Sequence, residues 1–456
     1  MAPYSPADGL PQPMRGWAVA TSIIAVGMAS LDTSIANTAL PTIALDVNAS
    51  PAASVWVVNA YQLALIGTLL PFASLGDIYG FRRVYTWGIV VFTLGSLLCA
   101  VSWSLPTLAM ARVLQGLGAS GIMSVNTALI RFVYPSSQLG RGVGFNAMIV
   151  AVSTALGPTV AAAILSVASW QWLFAVNVPA GAVAVLLAMK ALPDTPRATH
   201  DFDLPSALLN AVAFSALIFC IGEVAHSAAP AIEAAAGLLA LGAGVLLVQR
   251  QLRLPVPLLP IDLYRRPMFA LSSATSICSF AAQGLAYVSL PFLFQTVLGR
   301  SAVETGLLLT PWPVATAIMA PIAGPLSDRY PPAILGGIGL AILCAGLLLM
   351  AALPPDATPL GIALRLLVCG TGFGFFQSPN LKAIMSSAPP GRSGGASGIV
   401  ATSRLLGQAV GAALVALCFG ISMQSGPALA LMLGACFAGA GSALSFSRLV
   451  ARGPLS

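Results

Sequence analysis

Four ionisable residues, Asp32, Arg112, Arg365 and Arg404, stand inside long apolar stretches where water is scarce. Asp32 lies about 15 residues into the run that begins at Trp17, ~22 Å along a helix at about 1.5 Å per residue. An Asp at the centre of a lipid-embedded helix costs about 2.5–3.5 kcal/mol, so it normally serves a function and faces a cavity or a partner. A carboxyl that is neutral in one state and ionised in another is what proton coupling or cation binding requires. The alternative is a packing residue bonded to Asn37 or to a backbone carbonyl. Arg112, at about the same expected depth, is the candidate counter-charge. A guanidinium stays charged and in lipid needs a carboxylate or carbonyls, so Arg112 forms either a switchable pair with Asp32 or a structural cluster. Arg404 and Gln408, one turn apart, put two polar groups on one helix face. Asn37, Tyr61, Gln62, Gln115, Asn126, Gln283, Trp312 and Gln377 are further candidates for a substrate cavity, or hydrogen-bonding glue between helices.

The elements that must carry these residues follow from composition. Of 456 residues, 58% are hydrophobic and 7% charged. Soluble domains carry about 25% charged residues, which excludes a cytosolic enzyme or a nucleic-acid binder. A bilayer-crossing helix needs about 20 apolar residues. Apolar runs separated by short polar breaks predict an all-α polytopic membrane protein with fourteen spans, at 17–40, 54–75, 83–103, 106–130, 143–167, 173–193, 204–222, 231–249, 268–297, 302–325, 332–353, 358–383, 395–420 and 427–449. With the N-terminus inside, the Lys and Arg of the links, from Arg15 and Arg82-Arg83 to Arg392 and Arg452, fall on the cytoplasmic side, and Arg300 alone falls outside. The net charge of +7 is thereby read as orientation rather than as affinity for an anionic polymer.

Two weak echoes link span n to span n+8. Asp77 with Arg82-Arg83 closes span 2 as Asp328-Arg329 closes span 10, and Gly116-x-Gly118 with Asn126 is repeated as Gly370-x-Gly372 with Asn380. The predicted domains are a cytoplasmic tail (1–16) without fixed structure, a six-helix bundle (17–193), two inserted helices with their links (194–266), a second six-helix bundle (267–449) and a short cytoplasmic tail (450–456). Duplicated halves mark alternating-access transporters whose binding site lies near midplane between them. Asp77, Gly80, Arg82 and Arg83, with Asp328 and Arg329, are candidate gating residues at the cytoplasmic helix ends. Gly157-Pro158 permits a bend and close contact in span 5. The seven Cys occur singly and read as small apolar fillers. No phosphate-binding loop, hydrolase motif or His/Cys metal cluster is present, and His200 and His226 lie in or near links, so no cofactor or metal is expected. Energy should come from an ion gradient.

These residues resemble the major facilitator superfamily, specifically its 14-helix drug:proton antiporter branch, over nearly the whole chain. Leu31-Asp32-Thr33-Ser34-Ile35-Ala36-Asn37-Thr38-Ala39-Leu40-Pro41 is similar to the branch's first-helix motif, and residues 75–83 to the superfamily's loop signature. Arg112 through Gly116 resembles the fourth-helix motif, and Gly157-Pro158 the core of the antiporter motif. Trp172 with Phe174, Asn177-Val178-Pro179, and Arg404 with Gly407 also look like family features. The chain departs from the pattern at Ala73 and Ile78, where Gly and a basic residue are usual, and at Ala161-Ala162, where two Gly are usual. The resemblance implies that Asp32 and Arg112 couple transport to protons. It also implies that a small amphipathic compound, possibly cationic, is exported across the plasma membrane, by a monomer whose partners are its substrate, protons and the bilayer. An exporter dedicated to one endogenous metabolite, which the Arg residues would suit if it were anionic, and a non-transporting receptor remain alternatives.

Overall fold

The computed structural model describes residues 9–135, 138–198, 202–223, 230–254, 261–354, 356–387, 393–422 and 424–450. Residues 1–8, His200, His226, Arg392 and Arg452 lie outside them, as does the side chain of Arg141. Among the described residues there is no strand, and fourteen helices are long and apolar enough to cross a membrane. They are α1 Met14–Asp46, α2 Pro51–Tyr79, α3 Phe81–Ala100, α4 Leu105–Val133, α5 Leu139–Leu165, α6 Trp172–Ala191, α7 Leu204–Glu223, α8 Pro230–Gln251, α9 Pro267–Val297, α10 Ala302–Arg329, α11 Pro332–Ala351, α12 Pro359–Ser387, α13 Ser393–Ile421 and α14 Gly426–Ser447. Each expected span is found, six of them about a turn or more longer at one end or both, and several ending two or three residues early.

Local chemistry sets the helix ends. Ser104 and Thr107 cap α4 reciprocally, as Ser301 and Glu304 cap α10. A single residue, Gly80 at φ 96°, joins α2 to α3, a conformation that a side chain would strain. The N-terminal tail differs from expectation. Leu10 is buried and its N–H donates to the Val133 carbonyl (3.0 Å), while Arg15 Nε donates to the Leu10 carbonyl (2.9 Å). An apolar side chain with a place to bury therefore ties residues 9–13 down.

Helices α1–α6 pack as one bundle through α3–α4, α2–α4, α1–α5, α1–α6 and α3–α6 contacts. Helices α9–α14 repeat the same pairings eight helices later. The glycine echo is the physical basis of this match. A Cβ on Gly116 would lie 2.4 Å from the Tyr61 carbonyl oxygen, and one on Gly370 2.1 Å from that of Trp312. A Cβ on Gly118 would lie 2.2 Å from the Phe92 nitrogen, and one on Gly372 2.4 Å from that of Leu343. Absent side chains at both positions let α4 touch α2 and α3, and α12 touch α10 and α11, backbone to backbone.

The inserted α7 packs on α2 and α13, with α8 outside it as the least buried span. Pro71 has no N–H, which frees the carbonyl of Gly67 in α2, and Asn210 of α7 supplies a donor at 2.8 Å. Asn210→Leu should cost about 0.6–2 kcal/mol, the range of interhelical hydrogen bonds in lipid, and loosen α7 from α2. Thermal unfolding of the purified protein measures this, and an unchanged midpoint would count against the anchor. Arg250 and Gln251 clasp the hairpin by reaching Asp203 (2.8 Å) and Ser206 (2.7 Å). Burial opposes the Asp203 charge, but hydrogen bonds from Arg250 and Ser206 outweigh it and hold this carboxyl below its usual range. Its stabilising contribution is therefore full above the unfolded carboxylate value of about 3.9 and fades as pH falls through the lower folded value. Asp203→Asn should remove that acid-side slope in a pH series of unfolding midpoints.

Candidate functional site

Helix α1 passes through the middle of the first bundle, which is why nearly every residue from Met28 to Ala44 is buried. Asp32, 1% exposed, faces α4. Its Oδ2 accepts from Arg112 Nη1 at 2.5 Å, and its Oδ1 accepts from Gln115 Nε2 (2.8 Å) and from Asn177 Nδ2 of α6 (3.0 Å). Arg112, equally buried, also donates from Nη1 to Gln115 Oε1 (2.6 Å) and from Nε to the Val57 carbonyl (3.0 Å). Gln115 Nε2 further donates to Ser96 Oγ of α3 (2.8 Å). The Tyr61 ring lies 4.2 Å from the guanidinium carbon, and the Phe174 ring 5.6 Å from it. Small residues make this convergence possible. Gly116 brings α4 against the Tyr61 backbone, and Gly95 brings α3 to within 2.6 Å, at its missing Cβ, of the Gln115 backbone.

Two charges in so dry a place require both mutual attraction and full hydrogen bonding. Both oxygens of Asp32 are engaged, so no cation can bind this carboxylate without first displacing Arg112 or the amides. Loss of either charge would leave its partner unbalanced in this dry setting, beside the Tyr61 ring. The sequence pointed to Asp32 with Arg112 as its candidate counter-charge, assigned Gln115 to a substrate cavity or to interhelical hydrogen bonding, missed Ser96, and met Asn177 only within a resembling motif.

Beyond Tyr61, a second polar group spans the seam between the bundles. The Tyr61 hydroxyl faces Thr33 and the Ala29 carbonyl on α1, with Arg404 of α13 close enough to interact electrostatically. Gln408, one turn after Arg404, donates to Gln283 of α9 at 3.2 Å. Tyr287, one turn after Gln283, meets Trp312 edge-on at 5.2 Å between ring centres. Tyr287 also lines a cleft with Ser34, Asn37, Thr38, Thr154, Pro158, Leu309 and Pro313. Buried Asn37 Oδ1, Gln62 Oε1 and Trp312 Nε1 have no hydrogen-bond partner among the described residues. Other candidates lie elsewhere. Gln115 belongs to the ion-pair network rather than to a cavity wall. Asn126 donates to Asn146 inside the first bundle (2.7 Å). Arg365 donates to the Gly361 carbonyl of its own helix (3.0 Å), and Gln377 is half-buried on α12.

Gly157-Pro158 joins the bundles directly. Pro158 frees the Thr154 carbonyl, and Ser34 donates to it at 3.0 Å. A Cβ on Gly306 of α10 would lie 2.3 Å from the Pro158 carbonyl oxygen. At the end opposite the termini, Thr42 donates to Gln295 (3.2 Å), Gln295 to the Thr38 carbonyl (3.3 Å), and the Thr159 and Thr310 hydroxyls pair at 2.9 Å. No hydrogen bond between described residues joins the two bundles at the end that holds the termini. There Arg82 and the Asp77 backbone meet the link that follows α6, and Asp328 meets α12. Arg82 pairs with Asp194 (3.2 Å), the Asp77 carbonyl accepts from Ala198 (2.7 Å), Gly80 shapes the turn, and Asp328 pairs with Lys382. Arg83 and Arg329 are exposed.

Comparison with known proteins agrees with this architecture. The family model for the Major Facilitator Superfamily matches residues 22–412. The chain is 55% identical over 438 residues to the uncharacterized transporter YebQ of Escherichia coli K12, covering 96% of each. It is 31% identical over 402 residues to the riboflavin transporter RibZ of Clostridioides difficile, covering 88% of this chain and 87% of that one. It is also 31% identical to the multidrug resistance protein Stp of Mycobacterium tuberculosis, covering 86% and 74%. Among solved structures, a bacterial homologue of the lysosomal transporter Spinster, in an inward-facing conformation, superposes with a TM-score of 0.70 at 15% identity over 98% of this chain and 100% of that one. The chain is a multi-pass membrane protein that belongs to the Major Facilitator Superfamily of transporters.

Proposed function

We propose that this transporter exports small amphipathic organic compounds in exchange for protons, by alternating access, from a plasma membrane in which both termini are cytoplasmic. The observation that carries the reading is the Asp32–Arg112 pair at 2.5 Å, fully buried in the first bundle and one aromatic ring away from the seam. Such a pair has two electrostatic states and couples naturally to a protonation event. Orientation rests on the basic residues: Arg131, Lys190, Arg250 and Arg329 all end their helices on the side of the termini. With the far end of the seam hydrogen-bonded, the substrate would enter from the cytoplasm and leave after the seam reopens on the other side, with a proton taken up from outside.

A second reading, an exporter dedicated to one endogenous metabolite, is favoured by the equal 31% identity to RibZ and to Stp, whose names describe one compound and many. Everted vesicles that have acidified their lumen test the main reading. Addition of amphipathic compounds should dissipate the pH gradient only in vesicles containing the protein. A response to one compound of a broad panel would favour the dedicated exporter, and no response to any would sink proton exchange.

A further inference from the structure

Resting on the export reading, we propose that the seam between the bundles holds a site for an anionic group of the substrate, centred on the Arg404 guanidinium. The first observation is one of charge balance. The ion pairs among the described residues are Arg82–Asp194, Arg112–Asp32, Arg250–Asp203 and Lys382–Asp328, so no described carboxylate balances Arg404. Its guanidinium also makes no hydrogen bond to a described residue, although it sits midway along a helix that crosses the membrane. A cation held in low dielectric without a counter-charge is unfavourable, and a ligand carboxylate, phosphate or phenolate removes that penalty with a charge-assisted bond.

The second observation is what surrounds it. Arg404 shares a face of α13 with Gln408, which reaches Gln283 across to α9, and on α2 the Tyr61 hydroxyl lies within electrostatic reach. Along the same seam Tyr287 and Asn37 face the cleft, and the amide oxygen of Asn37, 7% exposed and without a partner among the described residues, can accept from a donor group elsewhere on the same compound. Neutral amides and aromatic rings along the seam that carries this cation suit a flat, polar-edged anion. A second cation would be repelled by Arg404, and Asp32, the described acid that could offset that charge, is already shared among Arg112, Gln115 and Asn177. Tyr61 stacks its ring against Arg112 and lies within electrostatic reach of Arg404, so an anion at Arg404 also bears on the buried pair.

Two dyes with the same three-ring frame and opposite charge provide the test: carboxyfluorescein as anion and rhodamine 6G as cation, titrated by fluorescence anisotropy against the full chain in lipid nanodiscs. Saturable carboxyfluorescein binding, about tenfold or more tighter than rhodamine 6G, is expected. Arg404→Gln should weaken the anion by about tenfold and leave the cation unchanged, while Arg404→Lys keeps most of the anion's affinity. The wild-type comparison stands even if the Gln variant does not fold. Absence of saturable carboxyfluorescein binding, equal affinity for both dyes, or an unaltered affinity in a monodisperse Gln variant would overturn the assignment. The two readings fail separately. Proton-linked rhodamine 6G transport without anion binding spares export and removes the anion site. Anion binding in a protein that never dissipates a pH gradient does the reverse.

Discussion

Asp32→Asn should abolish the dissipation of a pH gradient by exported compounds, because an amide of the same shape cannot take up and release a proton. It should also lower stability, and the size of that loss separates a coupling pair from a packing pair. Removing one partner of a buried ion pair leaves an uncompensated charge and costs about 3–5 kcal/mol. The two partners are not equivalent, since a carboxyl can bind a proton and become neutral whereas a guanidinium cannot. Asp32→Asn strands a permanent cation, left to Gln115 Oε1, the Val57 carbonyl and the Tyr61 and Phe174 rings. Arg112→Gln strands an acid that protonation can rescue, so it should be the milder lesion for folding. The double variant removes both charges and should recover much of the lost stability without recovering coupling. Unfolding midpoints of the purified proteins and gradient dissipation in everted vesicles read the two effects independently. A stable double variant that still exchanges protons would show that the pair holds helices together and that protons travel elsewhere.

What the sequence discloses about this site, and what it hides, has a geometric explanation. Helix rise fixes depth, so Asp32 and Arg112 could be set at a similar level from residue counts alone. Rotation about the helix axis is not fixed by counting when apolar residues cover every face, as they do on lipid-embedded spans. For that reason Gln115 was open to a role as cavity lining, whereas it turns inward to bind Asp32, Arg112 and Ser96. Asn126 likewise meets Asn146 within the first bundle. The service of Asn210 and Ser34 to carbonyls freed by Pro71 and Pro158 was hidden for another reason. It depends on which helices become neighbours, and the insertion of α7 beside α2 has no local signal. The number of spans was legible because charge is scarce and punctuates the links. The repeat was legible through the matching charges that close spans 2 and 10 and through glycines whose spacing is dictated by backbone contact.

Those glycines lead to the second large effect. Gly118→Val should prevent accumulation of folded protein. Even a bare Cβ there would lie 2.2 Å from the Phe92 nitrogen and 2.5 Å from its Cα, and backbone atoms have no rotamer with which to yield. Overpacking a core costs about 1–3 kcal/mol when side chains can adjust. Here α3 and α4 would have to separate, and α3 also carries Ser96 to the Gln115 amide at 2.8 Å. The lesion should therefore reach the ion pair, and its counterpart Gly372→Val should separate α11 from α12 in the second bundle. Gly242 and Gly244 on α8 supply the control. Neither would place a Cβ within 4 Å of another group, so Ala at either should be neutral or stabilise the helix by up to about 1 kcal/mol. The yield of monodisperse protein after gel filtration, with unfolding midpoints for what survives, should rank the four variants in that order. Wild-type yield and midpoint for Gly118→Val would mean that α3 and α4 do not meet at this glycine, and the close approach that brings Ser96 to Gln115 would have to be abandoned.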